Sequence, residues 1–116
     1  MGHRTGLGGC MERGEVRWYT FVKSDKTRPV LILTRNSAIR YLNAITVAPI
    51  TTTIRGVPSE VQLSVADGLM TDCAANFYNL QTVPKAQLGA WITTLSPQRM
   101  AEVDRALQFA LGIEAV

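Results

Sequence analysis

Three short stretches hold the residues whose types and spacing could do chemistry. Arg28-Pro29 opens an apolar run, and the polar turn before it carries Lys23 and Lys26. An arginine fixed at a rigid strand start can hold a phosphate with its bidentate fork, whereas a lone surface arginine is usually just solvated. The stretch Pro49-Ile50-Thr51-Thr52-Thr53-Ile54-Arg55-Gly56 offers a row of hydroxyls and one cation. Threonine is also a good strand residue, so the same stretch reads equally as a strand end with its loop. Asn76-Phe77-Tyr78-Asn79-Leu80-Gln81-Thr82 interleaves amides with aromatics. Amides can read base edges and a tyrosine can stack on a base; an interior amide network is the alternative.

The rare residues exclude other chemistries. The one histidine, His3, falls in a glycine-rich leader, which removes a Ser-His-Asp or Cys-His hydrolase, a histidine pair and a histidine-based zinc site. Cys10 and Cys73 lack Cys-x-x-Cys spacing, so a thiolate metal site is not expected and Cys73 reads as a small buried thiol. A metal-dependent nuclease needs converging carboxylates. Glu15, Glu60, Asp67 and Asp72 are instead scattered along the chain, so no metal and no cofactor is expected.

Length and charge set the frame for these stretches. The 116 residues make one domain, 47% hydrophobic and 18% charged, with a formal charge of +3. The charge is unevenly spread: residues 1–56 hold nine basic and three acidic side chains, residues 57–116 three basic and six acidic. The basic half should face whatever anion the protein meets. Residues 1–10 (MGHRTGLGGC) are expected to be a disordered leader or tag remnant, with the domain at 11–116. No apolar run reaches the length of a membrane span. Without a visible signal peptide, the expected location is the cytoplasm.

The elements that must position the candidates are mostly strands. Glu15–Val22 is aromatic and β-branched and ends at a polar turn, Lys23 to Lys26. Pro29–Thr34 is a continuous apolar run, so a strand covered on both faces. Ala44–Thr51 is another, in which Pro49 argues for an edge position or a bulge. Glu60–Val65 alternates, with Val61, Leu63 and Val65 inward and Glu60, Gln62 and Ser64 outward. Cys73–Val83 reads as one longer strand, Pro84–Leu88 as a helical turn and Trp91–Leu95 as a last strand. A helix capped by Ser96, with Pro97 in its first turn and Gly112 at its end, presents Met100, Val103, Leu107 and Ala110/Leu111 as its core stripe. The sum is a small, mainly antiparallel, barrel-like sheet closed by one C-terminal helix.

Five motifs, in order from about Met11 to Gly112, resemble the MazF/PemK toxin family. They are Arg13-Gly14-Glu15-Val16; Arg28-Pro29-Val30-Leu31-Ile32-Leu33; Val47-Ala48-Pro49-Ile50-Thr51; Asp72-Cys73 ahead of Asn79-Leu80-Gln81-Thr82; and Leu95-Ser96-Pro97 followed by Glu102 to Leu107. The resemblance implies an α+β, mainly β, SH3-like barrel with a C-terminal helix. It further implies a cytoplasmic, homodimeric toxin that cleaves single-stranded mRNA at short sequences without a metal, inhibits translation and growth, and is silenced by a MazE-type antitoxin with an acidic C-terminal segment. The family's catalytic arginine and threonine correspond to Arg28 and Thr51, acting on an attack by the 2′-hydroxyl. The RNA-binding set implied is Lys23, Lys26, Pro29, Asn36, Thr52, Thr53, Arg55, Asn76, Asn79 and Gln81. The first loop is shorter than is usual in the family and lacks its glutamate, which is similar to a mycobacterial-type branch. The common Glu-Gln-x-Arg-Thr strand is Tyr78-Asn79-Leu80-Gln81-Thr82 here. Two alternatives are a CcdB-like gyrase poison, which would not require the Arg28–Thr51 pair, and an inactive RNA-binding module.

Overall fold

In the computed structural model, which describes residues 11–114, the continuous apolar run from Pro29 becomes a strand that feeds two cores at once. The strands are β1 (Glu15–Phe21), β2 (Lys26–Ile32), β3 (Ala44–Thr51), β4 (Glu60–Leu63), β5 (Cys73–Asn76), β6 (Gln81–Pro84) and β7 (Trp91–Thr94). Two helices join them, the single turn α1 (Asn36–Ile39) and the C-terminal α2 (Pro97–Leu111). Successive side chains of a strand point to opposite faces. Leu31 therefore joins Val16, Ala48, Ile50, Phe77 and the α2 residues Val103 and Ala106 on one face. Val30 and Ile32 join Tyr19, Ile45, Val47 and Val83 on the other. The expected leader, residues 1–10, lies outside the described residues.

All strand pairs are antiparallel, in the order β4-β5-β3-β2-β1-β7. The sheet branches at β3. One side of β3 pairs with β2, while on the other Ala44–Val47 pair with β6 and Ile50 and Thr51 pair with β5. This exchange of partners curls the sheet into a half-barrel, the small barrel expected from the sequence. It also seats Pro49. The Leu33 N–H donates to the Thr46 carbonyl at 3.0 Å, which fixes the alternation of the ladder and turns the Pro49 nitrogen away from β2. It faces the gap between the β6 and β5 segments, so the missing donor breaks no ladder bond. Pro49 thus sits inside the sheet, at a change of partner rather than at an outer edge.

Helix α2 begins and ends as its caps dictate. The Ser96 hydroxyl accepts the Arg99 N–H at 3.1 Å, Pro97 fills the first turn, and Gly112 closes the helix at φ +73°. Val103 and Ala106 are buried with Met100, Leu107 and Ala110 beside them, whereas Leu111 is exposed. The N-terminal turn of α2 is tied to the sheet by the Arg99–Asp67 pair at 2.9 Å. Asp67 also accepts the Ser64 N–H at 3.0 Å, capping a one-turn 3₁₀ segment, Val65–Asp67.

Further expectations change along the sheet. The single strand expected over Cys73–Val83 is two, β5 and β6, because the Asn76 side chain accepts the Tyr78 N–H at 3.0 Å and the Phe77 N–H donates to the buried Ser59 at 3.0 Å. That Asx turn bends the chain where an unbroken strand would run on. Glu60, expected outward, is buried, and Val65, expected inward, is exposed, because β4 ends at Leu63 and Val65 opens the 3₁₀ segment. No helix among the described residues is long and apolar enough to cross a membrane.

Candidate active site

The hairpin β1–β2, the end of β3 and the β5–β6 turn meet around one open pocket of 720 Å³, a volume suited to a small ligand or a short segment of a polymer. Its lining contains Arg28, Thr51, Lys23, Thr53, Arg55, Asn76, Asn79 and Gln81, eight of the residues singled out in the sequence. Tyr19, Phe21, Val22, Ser24, Pro49, Thr82 and Val83 complete it. No Asp or Glu lines it.

Backbone register explains how Arg28 and Thr51 meet. The last paired rung of β2 and β3 is Val30 with Pro49. Arg28 lies two residues before Val30 and Thr51 two residues after Pro49, so the same register sets them opposite one another on the same face. On the other flank Arg28 stands opposite Tyr19 of β1. A row of phenol, guanidinium and hydroxyl therefore crosses three neighbouring strands.

Two groups of cations stand out among the described residues. Arg13 binds Asp104 and the Leu33 carbonyl, Arg17 binds Glu15 and the Gly89 carbonyl, Lys85 binds the Ile39 carbonyl, and Arg99 binds Asp67 and Glu102. These four hold the fold. Lys23, Arg28 and Arg55 have no side-chain hydrogen bond or ion pair among the described residues, and all three face the pocket. An arginine presented without a carboxylate keeps its full fork for an external anion.

The polar groups around them are oriented by their own bonds. Thr51 Oγ1 accepts the Thr53 N–H at 3.1 Å, which turns the hydroxyl proton outward as a donor. The Asn76 oxygen is engaged by Tyr78, so the amide offers its N–H donors to the pocket. The loop bearing Arg55 is pinned from behind, where Glu60 Oε1 accepts the Arg55 N–H at 2.8 Å and the Gly56 N–H at 2.7 Å. Gly56 at φ +71° permits that turn.

Four expected residues do not line the pocket. Pro29 pairs with Trp18 and points to the opposite face of β2 from Arg28. Asn36 lies in α1, where its oxygen accepts the Arg13 N–H at 2.7 Å. Lys26 is exposed on the face of Arg28 but outside the lining, and Thr52 is exposed between two lining residues. Two residues were missed. Glu60 was hidden by its alternating pattern, although a carboxylate four residues after a loop glycine is a signal for backbone capture. Tyr19 was hidden among core aromatics. Among the described residues, no group of three or more His, Cys, Asp or Glu side chains is placed to hold a metal ion.

Comparison with known proteins gives concordant matches. The model of the PemK-like, MazF-like toxins of type II toxin–antitoxin systems matches residues 12–111. The probable endoribonuclease MazF2 of Mycobacterium tuberculosis is 36% identical over 103 residues, spanning 88% of this chain and 99% of that protein. The solved structure of the Mycobacterium tuberculosis toxin MazF-mt6 superposes with a TM-score of 0.80 at 35% identity, covering 87% of this chain and 99% of the other. A mycobacterial endoribonuclease solved in complex with its cognate antitoxin superposes with a TM-score of 0.82 at 27% identity, covering 91% and 99%.

Proposed function

The chain belongs to the PemK-like, MazF-like toxins of type II toxin–antitoxin systems, and on that premise we propose that the Arg28–Thr51 pocket is the active site of an endoribonuclease acting on single-stranded RNA. The observation that carries this reading is electrostatic: Lys23, Arg28 and Arg55 converge, unpaired, on one pocket whose lining has no carboxylate. Such a pocket attracts a polyanion and repels nothing in it.

The chemistry suits the side chains present. The 2′-hydroxyl of the substrate is itself the nucleophile, so no protein nucleophile is required. What the protein supplies is in-line positioning and stabilisation of the negative charge that grows on the phosphoryl oxygens. Arg28 does the second with two parallel N–H donors and stays protonated throughout. Thr51, its oxygen occupied by Thr53 and its proton free, donates to a non-bridging phosphate oxygen. Lys23 and Arg55 hold the neighbouring phosphates. The amides of Asn76, Asn79 and Gln81 read the bases. A 2′,3′-cyclic phosphate and a 5′-hydroxyl result, with no metal in the step.

Cleavage of mRNA by a cytoplasmic homodimer then accounts for inhibition of translation and growth. The structure of the mycobacterial relative with its cognate antitoxin supports a partner of that kind here. An acidic, MazE-type segment would be drawn to the same unpaired cations and would displace RNA. The experiment that tests the reading is incubation of the purified protein with single-stranded RNA in excess EDTA. Cleavage to cyclic-phosphate ends is expected, and intact RNA would overturn it.

A further inference from the structure

The pocket holds a group that charge stabilisation leaves unused. Tyr19 is 7% exposed, and its ring packs edge-on against Phe21 with centroids 5.0 Å apart at 80°. It lines the pocket and stands opposite Arg28 in the β1–β2 register. Its hydroxyl has no hydrogen-bond partner among the described residues, yet no buried side-chain oxygen there is left unsatisfied. The oxygen therefore emerges where the pocket admits solvent, while the ring is fixed in the core.

We propose that Tyr19 is a catalytic residue, the general acid that protonates the departing 5′-oxygen. The proposal rests on the RNA-cleaving reading of this pocket and deepens it. In-line displacement places the attacking and leaving oxygens on opposite sides of phosphorus. Adjacent strands lie about 4.8 Å apart, so the Tyr19 and Thr51 backbones stand about 10 Å apart with Arg28 between them. A phosphate on the Arg28 fork thus has Thr51 on one flank and Tyr19 on the other. Among the described lining groups Tyr19 and Lys23 are the proton donors best suited to an acid's role, since arginine stays charged, Ser and Thr hydroxyls are far weaker acids, and no described imidazole or carboxyl lines the pocket. Lys23 stands in the exposed hairpin turn, and its charge is spent on phosphate. Tyr19 is held rigidly by its packing and has a hydroxyl proton to give.

The 2′-oxygen bonds to phosphorus as its proton passes to water. The P–O5′ bond breaks, and the 5′-oxygen takes the proton of Tyr19 Oη. The phenolate then regains a proton from solvent, and the enzyme returns to its starting state.

Tyr19→Phe keeps the ring and its packing and removes only the hydroxyl that carries the proton. Two RNAs of one sequence serve as substrates, one ordinary and one with sulfur in place of the bridging 5′-oxygen, whose thiolate leaves without a proton. On the ordinary RNA, Tyr19→Phe is expected to lower kcat by about 10²–10⁴, the usual range for a positioned acid. On the sulfur-bridged RNA it is expected to cut within several-fold of the unsubstituted protein. Equal losses on both substrates, or undiminished cleavage of the ordinary one, would overturn the role of Tyr19. Failure of the unsubstituted protein to cut either RNA would instead overturn the endoribonuclease reading on which the role rests.

Discussion

Arg28 and Thr51 stand two residues past the Val30–Pro49 rung on their respective strands, on one face of the sheet and in one pocket. In sequence the two are separated by the rest of β2, by α1 and by most of β3. The register that joins them is set by core residues. Val30 and Val47 are fully buried on the same face, and a one-residue slip would send the guanidinium and the hydroxyl to opposite faces.

The first prediction concerns that pair. Arg28→Ala should reduce cleavage by at least about 10², as loss of one oxyanion donor does. Arg28→Lys should recover only part, since an ammonium lacks the planar fork. Thr51→Val, which keeps shape and β-propensity, should cost less than Arg28→Ala. Single-turnover rates on a short RNA in EDTA measure all three, and wild-type rates from Arg28→Ala would remove the arginine from the reaction.

A second prediction follows from Glu60, which touches no RNA yet fixes the loop that does. Its carboxylate accepts two backbone N–H groups, of Arg55 and Gly56. Glu60→Gln weakens both bonds by removing the charge, at a cost of about 1–3 kcal/mol for groups this buried. The backbone that carries Arg55 then loses its anchor. KM should rise with a smaller change in kcat, and Arg55→Ala should add little on top of Glu60→Gln. Additive effects in that double-mutant cycle would show that the loop anchor and Arg55 act independently.

A third prediction is the salt dependence of binding. Lys23, Arg28 and Arg55 line the pocket without internal partners. If each meets one phosphate, log K should fall against log salt with a slope of about −2 per chain, at roughly 0.7 per contact for a single strand. Lys23→Ala should flatten the slope by about one contact. Arg13→Ala should leave the slope unchanged and instead lower the melting temperature, because its guanidinium is occupied by Asp104 and the Leu33 carbonyl. Fluorescence anisotropy across 50–300 mM salt separates the two kinds of cation.

These contrasts also mark what the sequence could and could not disclose. Local signals carried the ends of β3 and the caps of α2, since Ala44–Thr51, Ser96 and Gly112 declare themselves through residue type alone. Arg28 and Thr51 drew notice because one opens and the other closes an apolar run, and their roles came from the family resemblance. The break between β5 and β6 was not, because it depends on Ser59, far upstream, accepting the Phe77 N–H. Glu60 obeyed a perfect polar alternation and is nonetheless buried, since the N–H groups that receive it come from a loop. Asn36 had the right chemistry for RNA, but the Arg13 backbone holds its oxygen. α1 was absent from the sequence map because one turn without a side-chain cap leaves no periodicity to read.

The last prediction concerns acid stability. The hydrogen bond from Arg99 holds the Asp67 carboxyl below the usual aspartate range, and the Ser64 N–H adds to it against the opposing effect of burial. A carboxyl whose pKa is lower folded than unfolded stabilises fully above the unfolded value, about 3.9, and loses that stabilisation as pH falls through the folded value. At pH 7 Asp67→Asn should therefore cost about 1–2 kcal/mol, a modest figure because Arg99 remains partly in water at 31% side-chain exposure. From pH 7 down to about 5 the difference between the two proteins should stay constant. Below about pH 4 it should shrink, because the aspartate becomes protonated and the asparagine has nothing to lose. Urea melts at pH 7, 5, 3.5 and 2.5 test this directly. A difference that grew toward acid would mean that Asp67 is not stabilised as an anion by Arg99. The same melts on Arg99→Ala should show the same pH window, since either substitution removes one half of the tie between α2 and the sheet.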